Sequence, residues 1–502
     1  MQRTATAGFY AGFVGQGIEY TQIISNADYQ LSMIITSAKG VNSINNPLSY
    51  LLFIKDFSLT QTIDAAKAGL QDAWNGTYDS AIGRKIGAGT FNYLLMTIGG
   101  AQLKGKGTAC EAVESGSNSK NPMTGDDWHK YFNEKYGAEN VYDFSLGNPS
   151  TLPPKEVNEA IIDIASNEDP NRLHGYMNNS GFEDVREAIA QSLNKRFDTH
   201  FSQKNILMTV GAAGGLNVIL KSIIDPEDEV IAFAPYFGEY NNYVANFDGK
   251  IVAVSPNPPS FQPNIKEFAE KITPKTKAVI INNPNNPTGV VYSEETIKEL
   301  AKVLEDKQKE YGTAIYLIAD EPYRELAYDG VEVPYLTKYY DNAIVGYSYS
   351  KSLSLPGERI GYLVIPDEMA DAEDVIGAAN VATRILGFVN APSLQQLVIK
   401  KCLDASTDIS IYDTNRTLLY DKLTSLGFEC VKPQGAFYLW MKTAEPDDVA
   451  FAAKAKEFNL LIVPGSSFMC PGYVRIAYCV EKAMIERSFA AFEKLAQSYG
   501  LE

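Results

Sequence analysis

Residues 278–320 read A-V-I-I-N-N-P-N-N-P-T-G-V-V-Y-S-E-E-T-I-K-E-L-A-K-V-L-E-D-K-Q-K-E-Y-G-T-A-I-Y-L-I-A-D. An apolar, β-branched run (Ala278–Asn282) leads into a Pro/Asn turn. An amphipathic helix follows from Glu294 to Glu310 behind a Ser293 N-cap, and a second apolar run (Ala314–Ala319) closes the unit. Two short apolar strands joined by a helix form a βαβ unit. The same alternation extends outward through the candidate strands Ile206–Val210, Glu229–Phe233, Lys250–Val254, Ala343–Tyr347 and Arg359–Ile365. The expectation is therefore an α/β fold with a doubly wound, mostly parallel sheet covered on both faces, which places ligands at the carboxyl ends of the strands.

Farther out, the pattern changes twice. Beyond about residue 410, helices mix with short strands (Ala436–Met441, Leu460–Val463, Tyr473–Tyr478), as expected of a smaller α+β domain. Before about residue 120 the chain is rich in Gly, Ala, Thr, Tyr and Asn. It ends in the linker-like K-G-K-G-T…E-S-G-S-N-S-K between Lys104 and Lys120. The expected organisation is an appended region at 1–120, a connecting arm at 121–165 that contributes to the small domain, a large domain at 166–405 and a small domain at 406–502.

With 502 residues there is room for two or three domains, and a composition 45% apolar and 21% charged is that of a globular protein. The net charge of −17 opposes nucleic acid and anionic membrane surfaces as partners. It leaves small anions open, because they respond to local charge. Five scattered cysteines (Cys110, Cys402, Cys430, Cys470, Cys479) form no C-x-x-C pair, which fits a reducing, cytoplasmic compartment and no metal site. No run of about 20 apolar residues is available to span a bilayer.

Four motifs sit just after strands. T-V-G-A-A-G-G (Thr209–Gly215) opens a helix with small residues, so an anion can approach backbone N–H groups. It does not match G-x-G-x-x-G or a P-loop. N-N-P-N-N-P-T-G (Asn282–Gly289) is a rigid polar turn. A-D-E-P-Y sets Asp320 at the end of an apolar strand, where a carboxylate can hold a pyridine nitrogen protonated, with Tyr323 close behind. S-Y-S-K-S-L-S-L-P-G-E-R surrounds Lys351 with hydroxyls and brings Arg359 eight residues later. A lysine at a strand end is ordinarily a surface residue and an aspartate there ordinarily caps a turn, so the signal is the combination.

In this order the motifs resemble the class I aminotransferases of the fold-type I pyridoxal-phosphate enzymes, over about residues 136–502. The resemblance implies pyridoxal 5′-phosphate as cofactor and a ping-pong exchange of an amino group between an L-amino acid and a 2-oxo acid, with an aspartate- or glutamate-like donor. It implies that Lys351 carries the cofactor covalently and moves the substrate proton, and that Asp320 pairs with the pyridine nitrogen. Tyr323 and Asn286 would bond the ring oxygen. Phosphate would be held by Ala212, Ala213, Ser348, Ser350 and Arg359, and Phe237 (A-P-Y-F-G-E-Y) would stack on the ring. Arg475 (Y-V-R-I-A-Y), helped by Asn286 and the backbone of Gly147 (S-L-G-N-P), would take the α-carboxylate. Tyr176 (H-G-Y-M-N-N-S-G) would reach the phosphate of a second subunit, so a homodimer with shared sites is expected. Arg384 lies near a position that some members use for a second carboxylate. His129, His174 and His200 have no spaced partners. A lyase on the same fold stays open as an alternative.

The chain departs from this family at its start. In place of the usual helical arm stands N-P-M-T-G-D-D-W-H-K-Y-F-N-E-K-Y-G (Asn121–Gly137). With the Gly- and Ala-rich region before it, this stretch resembles the region preceding toxin domains in bacterial polymorphic toxins. Two origins are consistent with the junction. One is a fusion in which residues 1–120 serve delivery or interaction, leaving the enzyme part incidental. The other is a chimeric gene model joined at Y-G-A-E-N-V. Residues 1–120 contain no histidine and no nucleophile–base pair.

Overall fold

The structure, a computed structural model, describes residues 137–501 together with Glu134 and Lys135. The readings made for residues 1–120 and for His129 lie outside the described residues. Strand β1 (Tyr142–Asp143) leads into the central sheet, built from β2 (Ile206–Thr209), β3 (Glu229–Phe233), β4 (Lys250–Val254), β5 (Thr276–Asn282), β6 (Tyr316–Asp320), β7 (Ala343–Ser348) and β8 (Gly361–Val364). Their order across the sheet is β2-β8-β7-β6-β5-β3-β4.

Side-chain alternation explains why both faces are covered. Along β6, Leu317 and Ala319 pack into one buried cluster while Tyr316 and Ile318 pack into the cluster on the opposite face. Along β5, Val279 and Ile281 divide from Ala278 and Ile280 in the same way. Each such aliphatic side chain contributes roughly 1.5–3 kcal/mol on burial, so a strand apolar on both faces is stable only between two helical layers. The helix Glu294–Tyr311 supplies part of one layer. Ser293 Oγ accepts the Thr296 N–H at 3.1 Å at its start, and Gly312, at φ 70°, ends it in the left-handed conformation.

The strands match expectation to within two residues at most ends, and one pairing differs. β8 runs antiparallel to both β2 and β7, whereas β3 to β7 are parallel. The connection from β7 to β8 contains only the single helical turn Tyr349–Ser352 and the 3-10 turn Pro356–Glu358. That is too little to cover a sheet face as a crossover must, so the chain turns back beside β7. Arg359, read as the start of a strand, sits instead in the left-handed region at φ 53° and closes this turn.

A second, antiparallel sheet has the order β12-β13-β10-β9, from β9 (Cys430–Val431), β10 (Tyr438–Lys442), β12 (Val463–Pro464) and β13 (Tyr473–Ala477). Its core includes Phe437, Leu439, Val474 and Ile476. β1 pairs in parallel with β11 (Leu460–Leu461), and Phe144 joins this second core, whereas the helix Lys155–Asn167 buries Val157, Ala160 and Ile164 against the large sheet. The arm around residues 142–164 thus touches both cores. Among the described residues no helix is long and apolar enough to cross a membrane.

Candidate active site

Three adjacent strands end at one place. Asn282 closes β5 in register with Asp320, which closes β6, and Asp320 is in register with Gly346 of β7, two residues before Ser348. The Asn282 amide donates to the Asp320 carbonyl at 2.7 Å, and its own oxygen accepts the Asn286 N–H at 2.6 Å. The polar turn is therefore a brace that fixes Asn286 relative to Asp320.

Above these ends lies a pocket of about 370 Å³, within the range of small-molecule sites (roughly 300–1,000 Å³). Twelve of the thirteen residues singled out from the sequence line it: Gly147, Ala212, Ala213, Phe237, Asn286, Asp320, Tyr323, Ser348, Ser350, Lys351, Arg359 and Arg475. The exception is Tyr176, which is 95% exposed and outside the pocket of its own chain. Arg384 lies exposed on the helix Ala372–Ile385 and does not line it either.

Lys351 Nζ donates to the Gly147 carbonyl at 2.6 Å and lies 5.2 Å from the Phe437 ring centre. Burial, helped by Arg475 and Arg359, pushes its amine down to about 8. Asp320 is buried, and burial pushes its carboxyl up to about 6, opposed by the hydrogen bond from Tyr240. Tyr240 Oη donates to Oδ2 at 2.6 Å, leaving Oδ1 buried with no partner. A buried carboxylate oxygen without a donor is costly and marks a place where a ligand N–H belongs.

The opposite end of the pocket is made for an anion. Ser348 caps its helical turn by accepting the Ser350 N–H at 3.2 Å, and the two hydroxyls lie 2.6 Å apart. Ala212 and Ala213 start the helix Gly211–Ile223, whose free N–H groups are there. Gly211 is at φ 69°, and a Cβ there would sit 2.5 Å from Arg359 Nη2, so the guanidinium rests directly against the helix start. An unpaired acceptor for a ring nitrogen, an amine and an anion cradle together suit a phosphorylated pyridine aldehyde.

Arg475 leaves β13 into the pocket, 8% exposed. Nη2 donates to the Ser145 carbonyl at 2.6 Å and Nη1 to Asn286 Oδ1 at 3.0 Å, while Nε has no partner. A guanidinium so buried without a carboxylate is poised for one.

Three pocket-forming tyrosines went unread in the sequence. Tyr438, on β10, hydrogen-bonds Tyr323 Oη at 2.9 Å, carries the Arg475 guanidinium 4.5 Å from its ring centre, and would lie 2.1 Å from a Cβ at Gly147. Its alternating strand context reads only as core. Tyr243 lines the pocket, and Tyr240 lies behind it with its ring edge-on to Phe237 at 5.8 Å. Tyr240 stands in the first turn of the helix Glu239–Ala245, two residues after the Phe237–Gly238 turn that leads into it. The ionisable groups facing Asp320 are Tyr240, Tyr243, Glu321 and Tyr323. Tyr240→Phe keeps the ring contact and removes the only hydrogen bond to the Asp320 side chain. The acid limb of cofactor binding to the empty protein is then expected to move to higher pH by about one unit, with little change in Tm. An unshifted limb with a lowered Tm would reduce Tyr240 to a packing residue.

This sheet order, with a site across the ends of β5, β6 and β7, defines an α/β transferase of fold type I. The chain belongs to the family aminotransferase class I and II, whose model matches residues 139–492, and the activity that goes with membership is pyridoxal-phosphate-dependent transamination. It is 28% identical over 362 residues to an aspartate aminotransferase of Thermotoga maritima, covering 71% of this chain and 91% of that protein. A crystal structure of an amino transferase from Eubacterium rectale superposes with TM-score 0.74 at 49% identity, covering 75% of this chain and 94% of that one. The aspartate aminotransferase of Thermus thermophilus superposes with TM-score 0.65 at 28% identity, covering 73% and 94%.

Proposed function

We propose that this chain binds pyridoxal phosphate in the 370 Å³ pocket and exchanges an amino group between an L-amino acid and a 2-oxo acid. The observation that carries the reading is the meeting of Lys351, Asp320 with its unpaired Oδ1, and the Ser348–Ser350–Arg359 anion cradle in one pocket. When bound, the cofactor supplies an electron sink for the charge left as a substrate Cα–H bond breaks.

The chain's own groups do the rest. Lys351, with its amine pushed down to about 8, is partly neutral near neutral pH and can take the Cα proton and return it. Asp320 holds the ring nitrogen's proton from Oδ1. Tyr323, whose hydroxyl is kept protonated by burial and Tyr438, donates to the ring oxygen together with the Asn286 amide. Phe237 supports the ring face. Arg475 and the backbone of Gly147 hold the α-carboxylate, which orients Cα–H toward Lys351.

An aspartate- or glutamate-like donor is supported by the names of several relatives and by the maleate in the Thermus thermophilus structure, a dicarboxylate. A homodimer is supported by the fully presented Tyr176 and by exposed Leu152, Val381 and Ile385. A large domain (166–405) and a small domain (406–502) are supported by the two sheets, and the described residues 142–164 touch both cores. A cytoplasmic setting agrees with four free thiols, Cys402, Cys430, Cys470 and Cys479.

The test is the absorbance of the full-length protein loaded with cofactor, before and after L-aspartate, L-glutamate or L-alanine. The visible band is expected to bleach with the true donor and to return with 2-oxoglutarate. A band that never bleaches with any amino acid, or bleaches without recovery, contradicts transamination, and the second outcome favours a lyase.

A further inference from the structure

The turn that carries Lys351 has two sides. Ser350 and Lys351 face the pocket described above, whereas Tyr349, Ser352 and Leu353 line a separate recess of about 320 Å³. The recess is nearly as large as the catalytic pocket and shares this one helical turn with it as a wall.

Its chemistry is not that of a packing defect. Tyr347, Tyr349 and Tyr362, all 6% exposed or less, form one aromatic wall, with Tyr347 stacked on Tyr362 at 5.0 Å. Ser352, 6% exposed, sets its Oγ beside the Tyr347 hydroxyl. Leu193, Leu403 and Ile409 add an apolar patch, and Ser192, Asp404, Ser406 and Thr407 a polar rim. An ion pair, Arg196–Glu325, is set among them, with side chains 37% and 29% exposed. Arg196 engages Glu325 through Nη2 alone, at 2.6 and 2.8 Å, so Nε and Nη1 remain for a second anion. Glu325 likewise accepts only this nitrogen and, at 3.3 Å, the Tyr347 hydroxyl. An adjacent cation and anion, each with hydrogen-bonding capacity left, beside a cavity that is apolar on its tyrosine and leucine side are complementary to a small zwitterion with an apolar tail.

We propose that this recess is a second binding site for a free α-amino acid with an apolar side chain. Its carboxylate meets Arg196, its ammonium meets Glu325, and its side chain lies against the tyrosine wall. The occupant also touches the Lys351 turn, because the loop that closes the recess is tied there: Thr407 donates to the Ser352 carbonyl from its N–H at 3.3 Å and its hydroxyl at 3.2 Å. The recess is built from residues outside the catalytic pocket, apart from the shared turn, and only its test rests on the reading of Arg475 and the cofactor given above.

Equilibrium dialysis of L-leucine and L-phenylalanine against the full-length Arg475→Ala protein loaded with pyridoxamine phosphate separates the two sites. Carboxylate binding in the catalytic pocket is removed, and that cofactor form does not react with amino acids. One equivalent is expected to bind per chain. Arg196→Gln on the same background is expected to weaken binding at least tenfold, and Ser192→Trp, which fills the recess from a half-buried position, to abolish it. An unchanged Tm and cofactor spectrum show that both variants fold. N-acetyl-L-leucine and 3-methylbutylamine, each lacking one charge, are expected to bind at least tenfold more weakly than L-leucine. No binding in the Arg475→Ala protein, binding indifferent to both recess variants, or equal binding of the singly charged analogues each overturns the proposal.

Discussion

Lys351→Ala is expected to lower the transamination rate by at least about 10⁴-fold, the upper range for loss of a positioned proton-transfer group. The argument rests on uniqueness of place. Lys351 Nζ is held 2.6 Å from the Gly147 carbonyl on the floor of the pocket, and the other cations lining it, Arg359 and Arg475, are guanidiniums that cannot act as a neutral amine. Noncovalent cofactor binding should survive, because the Ser348–Ser350–Arg359 cradle and Asp320 are untouched. The measurement is single-turnover rate together with cofactor absorbance, and added methylamine is expected to restore part of the rate. Undiminished turnover by the variant would remove Lys351 from its role. The wild-type amine yields a pH signature as well. With an amine pushed down to about 8, the rate of cofactor capture by the empty protein should rise with pH and level off just above that value. An ordinary lysine would keep climbing to about 10.4.

Asp320→Asn is the second large effect, about 30- to 4,000-fold in kcat/KM at pH 8, as for removing one charge from a buried hydrogen-bonded pair worth roughly 2–5 kcal/mol. Asparagine has nearly the same shape; with its oxygen accepting from Tyr240 it turns an NH2 to the place of Oδ1, so the change removes both the charge and the acceptor for the ring nitrogen's proton. The sign of the pH dependence follows from the direction of the shift. Burial raises the Asp320 carboxyl to about 6, so its anionic form is present above that pH and lost below it. Cofactor binding by the empty wild-type protein should therefore weaken as pH drops through about 6, and in the variant this limb should vanish while the plateau of kcat/KM drops. A variant within threefold of wild type at every pH would show that the pyridine nitrogen has another partner.

The strand–helix alternation and the motif residues were legible because each is local. Apolar β-branched runs, a Ser293 cap and the Pro/Asn turn act through neighbours within a few positions. Ser348, Ser350, Lys351 and Arg359 are close in sequence and thus necessarily close in space. The antiparallel β8 was not legible, since direction depends on how little chain joins it to β7. Tyr240 and Tyr438 were hidden for another reason. An aromatic residue in an amphipathic element is ordinary core, and only its hydroxyl partner, 80 residues away for Tyr240 and 115 for Tyr438, marks it as part of the site. Tyr176, singled out by motif, lies exposed outside its own chain's pocket.

From the linear chain follow the α/β class, because spacing along β-strands and helices has a fixed period, and the four strand-end motifs, whose resemblance to a known family singles out the lysine, aspartate and arginines. The folded chain alone decides which oxygen of Asp320 is free, how far burial moves Lys351 and Asp320, and that the Lys351 turn has a second, aromatic side. Those properties depend on desolvation and on partners brought from β10, β13 and the 403–407 loop, and distance in sequence carries no information about either.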